Sequence, residues 1–114
     1  MDYERISLVL KAMADPKRMK IIDLLSYSSM CACDVLEHFD FTQPTLSHHM
    51  KVLEKAEIVS VSKQRQWHYY TLREEFVRDF MDSMTQLLSD SDEDGLCQQN
   101  DKLRNHTNKE IFTK

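Results

Sequence analysis

Two thiols one residue apart, Cys31-Ala32-Cys33, stand ahead of the segment Gln43-Pro-Thr-Leu-Ser-His-His-Met-Lys-Val-Leu-Glu-Lys55. Sulfur is a soft donor and selects thiophilic ions over hard cations. In the second segment a helical step puts Leu46, Met50 and Leu53 on an inward face. Pro44, His48, Lys51 and Lys55 then point away, with Gln43, Thr45 and Ser47 on the flanks. A helix with polar side chains opposite its apolar stripe is the reading helix of a helix-turn-helix, which enters the major groove of DNA. Sulfur ligands built beside such a helix imply one job: a repressor that leaves DNA when a thiophilic ion binds.

The chemistry of the pair follows from its position. A lone cysteine usually packs as a small hydrophobe, but an i, i+2 pair at this place favours binding. A helix start supplies partial positive charge and favours thiolate, which Asp34 opposes. Residues two apart in an α-helix point about 200° apart, so one ion can hold both sulfurs only if the backbone around Ala32 is not helical. The expectation is that the ion distorts the start of the helix supporting the reader. For DNA, Ser47 and His48 are the candidate base readers and Gln43 suits adenine edges, with Thr45 beside them. Lys51, Lys63 and Arg65 are candidate phosphate contacts. His49 lies nearer the apolar stripe and reads as a packing histidine. Trp67-His-Tyr-Tyr70 reads as packing rather than a base-stacking platform.

These residues need a scaffold. Tyr3, Ile6, Val9, Leu10 and Met13 follow helical spacing. Asp15 is a good N-cap, and Pro16 suits a first helical position; Met19, Ile21, Ile22 and Leu25 carry that second helix to about Tyr27. A third helix is predicted over Ala32–Phe39, and a fourth begins at Gln43 with Thr42 as its cap. Ile58–Ser62 and Trp67–Leu72 alternate and predict a β-hairpin with a charged tip at Lys63–Gln66. Phe76, Val77, Phe80, Met81, Met84, Leu87 and Leu88 form the stripe of a fifth helix. Seven large apolar residues exceed one helix's share of so small a core, so the stripe reads as a dimer interface. The fold class is mainly α with a β-hairpin, a winged helix-turn-helix over residues 1–89. Residues 90–114 open on an acidic run and predict a flexible tail.

The chain has 114 residues, 41% of them apolar and 30% charged, with a net charge of −4. The charge is unevenly placed. Residues 41–72 carry Lys51, Lys55, Lys63 and Arg65 against Glu54 and Glu57, so the segment meant to face phosphate is positive. A local field of the right sign is what steering requires. No apolar run reaches the ~20 residues of a membrane span, and the first residues open straight into an amphipathic pattern. The expectation is a cytoplasmic protein with no membrane partner and three reduced cysteines. One glycine, no nucleophile elbow and no paired carboxylates argue against an enzyme and against any organic cofactor.

Ala14-Asp-Pro-Lys-Arg18, Cys31-Ala-Cys-Asp34, Gln43 to Leu53 and Tyr70-Thr-Leu72, in this order and at these intervals, resemble the arsenical-resistance repressors of the ArsR/SmtB family over about residues 3–88. The resemblance implies a homodimer paired through the first and last helices, here through Ile6, Val9, Phe80, Met84 and Leu87. It implies binding to double-stranded operator DNA, and a Cys-x-Cys site for trivalent arsenic or antimony as inducer. Arsenite, antimonite and bismuth all suit thiolate.

Three departures stand out. Leu36 occupies a position where some members have a third cysteine. Glu57 stands where many have a helix-ending glycine, and the wing tip lacks its usual glycine. The cysteines of a cadmium or lead site are missing from residues 1–30. The Asp-x-His of a zinc site is missing from Asp79-Phe-Met81. Cys97, in the tail, is an optional third sulfur. The alternative reading is a thiol-redox-sensing repressor of the same fold, weakened by the strained ring that an i, i+2 disulfide would close.

Overall fold

Aspartates start the first two helices. The Asp2 carboxylate accepts from the Arg5 N–H at 2.8 Å and opens α1, Tyr3–Met13. The Asp15 carboxylate accepts from the N–H groups of Lys17 and Arg18 and opens α2, Pro16–Leu25. Each satisfies amide donors that a helix start leaves unpaired. The structure, a computed structural model, describes residues 1–89. The tail expected over 90–114, and Cys97 within it, lie outside the described residues.

A two-residue strand, β1 (Met30–Cys31), runs directly into α3, Ala32–Leu36. Neither matches the helix predicted to Phe39: Phe39 stands beyond α3 and stacks on Phe41 with ring centroids 4.5 Å apart. The turn leads into α4, Gln43–Lys55, with Thr42 at the N-cap position and Pro44 in the first turn. The Thr42 hydroxyl makes no capping bond and instead meets the Thr45 hydroxyl at 3.3 Å, which corrects its expected role.

The hairpin pairs β2, Val59–Gln64, with β3, Trp67–Leu72, around Arg65-Gln66, so Lys63 lies in the strand opposite His68 rather than at the tip. The sheet has three strands in the order β1-β3-β2, all antiparallel, because β1 adds to the free edge of β3. Helix α5 spans Glu74–Leu88.

The core is where these stripes converge. Val9, Ile21, Val35, Leu53 and Ile58 are fully buried, with Leu46 and Met50 of α4 beside them. Burying each such side chain contributes about 1.5–3 kcal/mol, so α4 is held by its apolar face while its polar face stays in water. The chain divides into two compact units, Met1–Met81 and Asp82 onward, and the division falls inside α5. Among the described residues, no helix is long and apolar enough to cross a membrane.

Candidate functional site

Cys31 is the last residue of β1, opposite Tyr69 of β3, and also the residue before α3. Its backbone is extended, with φ −79° and ψ 159°. Only Cys33 is inside the helix. The strand-to-helix corner therefore turns the two side chains together, and their Sγ atoms lie 2.6 Å apart as free thiols. This corrects the expectation that an ion must break a helix to join them: the break already exists. The Asp34 carboxylate lies within 4.8 Å of both sulfurs.

Cys31 is buried and Cys33 exposed, so the pair has one anchored and one open member. Contact with the Cys31 thiol raises the pKa of Cys33 above its ordinary value, and loss of solvent and the charge of Asp34 push the same way. That reverses the thiolate expected from a helix start. A helix of five residues aligns few peptide dipoles, and the neighbouring thiol outweighs it.

Beside Cys33 lies a cavity of about 260 Å³ lined by Ala32, Leu36, Gln43, Trp67 and His68. Gln43 is the first residue of α4, and Trp67 and His68 begin β3. Cys33 thus shares a wall with both the start of α4 and the turn end of the hairpin.

On α4, Gln43, Ser47, His48 and Lys51 are exposed and Thr45 is half-buried; Lys63 and Arg65 are exposed on the wing. His49 is buried, 8% exposed, as expected of a packing residue. Its partner, Arg18, had no assigned role in the sequence. The Arg18 Nη1 donates to His49 Nδ1 at 3.2 Å, and its Nε donates to the Ala12 carbonyl at 2.6 Å. One guanidinium thus ties α1, α2 and α4. The two partners lie 31 positions apart, so no local pattern announces the pair. Lys20 is held similarly, its Nζ on the His38 carbonyl at 2.9 Å and over the Phe39 ring.

The expected dimer residues divide. Ile6 and Val9 are 6% and 0% exposed, packed inside the chain itself, and cannot form an outer face. The large apolar side chains that α1 leaves exposed are Tyr3, Leu8 and Leu10. Phe80 is half-buried and stacks on Phe76 at 5.4 Å. Met84 is half-buried, and Leu87 is exposed with Val77, Met81 and Leu88.

A short three-strand sheet edged against a helix-turn-helix defines a winged-helix DNA-binding protein. The family model described as bacterial regulatory protein, arsR family, matches residues 15–61. The arsenical resistance operon repressor of Staphylococcus xylosus is 45% identical over 97 residues, covering 85% of this chain and 92% of that relative. The repressor of the same description from Staphylococcus aureus is 41% identical over the same shares. This chain belongs to the arsR family of bacterial regulatory proteins. It is a transcriptional regulator, not an enzyme.

Solved structures carry the same fold. An ArsR-like transcriptional regulator from Rhodococcus sp. RHA1 superposes with TM-score 0.71 at 15% identity, covering 96% of this chain and 93% of that one. HlyU from Vibrio cholerae N16961 superposes with TM-score 0.63 at 24% identity, covering 77% of this chain and 98% of that one.

Proposed function

We propose that this protein represses an arsenical-resistance operon as a homodimer, and that arsenite or antimonite bound by Cys31 and Cys33 releases it from the operator. The observation that carries this reading is the meeting of two sulfurs, one of which, Cys33, lines a cavity shared with Gln43 and the hairpin. Two soft donors suit a trivalent metalloid, and the similarity to the two staphylococcal arsenical repressors agrees. Ser47, His48, Gln43 and Thr45 read base edges, while Lys51, Lys63 and Arg65 grip phosphate.

Release follows from geometry. Cys31 is tied to the wing through β3 and Cys33 belongs to the helix ahead of the reader. One ion bonded to both sulfurs fixes their separation and direction, which the free thiols leave open, and so constrains the wing against the reading helix. That difference between the free and bound shapes lets the ion shift the equilibrium.

The test is substitution. Cys31→Ser and Cys33→Ser are expected to bind operator about as the parent does and to stay bound in arsenite. A serine variant released at the parent's arsenite dose removes this pair as the sensor. The 2.6 Å approach of the sulfurs also favours a second reading, in which an oxidant joins the thiols and releases DNA. Release by peroxide at lower dose than by arsenite would select it.

A further inference from the structure

Apolar burial holds α4 but does not by itself fix its pose. Leu46, Met50 and Leu53 pack into the core, and such attraction is non-directional. The bond from Arg18 to His49 is directional. Its donor is half-buried and serves two helices at once: Nε donates to the Ala12 carbonyl near the end of α1, and Nη1 reaches His49 of α4. A planar guanidinium holds both acceptors in one rigid fork. The acceptor is the neighbour of His48, whose ring centroid lies 5.8 Å from that of His49. The His49 ring also meets Phe41, in the turn ahead of α4, at 5.6 Å.

We propose that Arg18 is a positioning residue for operator reading: through His49 it sets the pose of α4, and a proton on His49 releases that hold. The inference rests on α4 being the reading helix. Nδ1 accepts from Arg18 only while it carries no proton, because a guanidinium only donates. A proton there removes the acceptor and sets two cations against each other. The charged and titratable groups facing His49 are Asp15, Arg18 and Lys17 at the start of α2 and His48 on α4 itself. Burial opposes the proton most; Asp15 favours it, and Arg18, His48 and Lys17 oppose it. The ring is therefore neutral at neutral pH, with the bond intact. Operator binding weakens in acid as the bond opens. Ordinary charge effects run the other way, since a protein that gains protons grips DNA phosphate more tightly.

The experiment uses the full-length reduced protein without inducer. The probes are an operator duplex that the parent selects from random DNA at neutral pH and an unrelated duplex of equal length. Both affinities are measured at fixed salt, from neutral pH down to the lowest pH at which circular dichroism shows the parent folded. The ratio of operator to unrelated affinity is expected to fall about ten-fold with acid in the parent. His49→Asn has an Oδ1 where the ring has Nδ1, and it takes no proton, so its ratio should be flat in pH. His49→Ala has no acceptor, so its ratio should already be low at neutral pH, and Asn should recover more of it than Ala. Arg18→Lys keeps the charge without the fork and should lower the ratio about ten-fold at neutral pH.

A parent ratio that does not fall with acid overturns the inference. An acid fall that persists in His49→Asn does the same, because it places the titration elsewhere, as on His48. So does a folded Arg18→Lys or His49→Ala protein that keeps the parent's ratio. Each of these results leaves the repressor reading intact. A parent that selects no sequence from random DNA overturns the repressor reading and this inference with it.

Discussion

His49 accepts at Nδ1 from the Arg18 guanidinium, and a guanidinium only donates, so that nitrogen carries no proton. Burial lowers the His49 pKa below its ordinary value; the Asp15 carboxylate pulls upward, while Arg18, His48 and Lys17 push down with burial. In the unfolded chain the ring takes its proton near pH ~6.5, and in the fold only at lower pH. Between those points the unfolded state binds more protons, so stability is full above the unfolded value and falls as pH drops below it. The His49→Gln protein keeps a neutral acceptor for Arg18. It is expected to lose less stability than the parent between about pH 7.5 and 5.5 in urea melts. Identical losses in the two proteins would show that His49 does not couple folding to pH.

Two element ends carry left-handed backbone without glycine: Glu57 after α4 at φ 62° and Arg65 in the wing turn at φ 61°. Such a conformation costs a residue with a Cβ roughly 1–2 kcal/mol. At Glu57 two arginines hold it. Arg73 Nη1 donates to the Glu57 carbonyl at 2.9 Å, and Arg5 Nη2 lies 3.4 Å from its carboxylate while also donating to the Ala56 carbonyl. Glu57→Gly keeps the bonds to backbone and loses an ion pair worth about 0–1 kcal/mol at an exposed site. A net gain of about 1 kcal/mol in unfolding free energy is expected, read by thermal melts; a loss would mean the Arg5 pair outweighs the strain.

In the proposed function the wing and the reading helix divide the DNA work by element. His48→Ala and Ser47→Ala are expected to remove preference for operator over other DNA with the fold intact. Lys63→Ala and Arg65→Ala should weaken binding to all sequences alike and lower the salt slope by about one each. An Arg65→Ala protein with altered sequence preference, beside an unaffected His48→Ala protein, would reverse the assignment.

At the scale of the molecule, large apolar side chains stay exposed on α1 (Tyr3, Leu8 and Leu10) and on the first part of α5 (Val77 and Met81), and separately at the end of α5 (Leu87 and Leu88). Exposed apolar groups in such number suit the proposed homodimer. The reading helices of a dimer would then meet half-sites about 10 base pairs apart or a multiple of that. Leu87→Glu places a charge on the apolar stripe of α5 and leaves the sequence of α4 unchanged. It is expected to shift sedimentation towards the monomer and to lower operator affinity by about ten-fold or more, since a monomer grips one half-site. A Leu87→Glu protein that sediments as the parent does would put the dimer contact elsewhere.

Local chemistry was enough for the elements that announce themselves. Asp15-Pro16 starts a helix because one side chain caps it and the other needs no N–H donor. The stripes of α4 and α5 show their buried faces through spacing alone, and the alternation of β2 and β3 shows a hairpin. The exposed face of α4 was legible for the same reason: burial of Leu46, Met50 and Leu53 leaves the opposite face outside.

What tertiary structure decided is what depends on partners far along the chain. The two residues of β1 are too few to carry a period, and they are a strand only because Met30 and Cys31 pair with Tyr70 and Tyr69. That pairing ends the strand at Cys31, turns its sulfur onto Cys33, and brings an i, i+2 pair together. Ile6 and Val9 lie in the core rather than on an outer face because α1 packs on α2 and α4. Arg18 found His49 by the same route. Helical spacing states which side chains share a face, and only the packing of the whole states what that face meets.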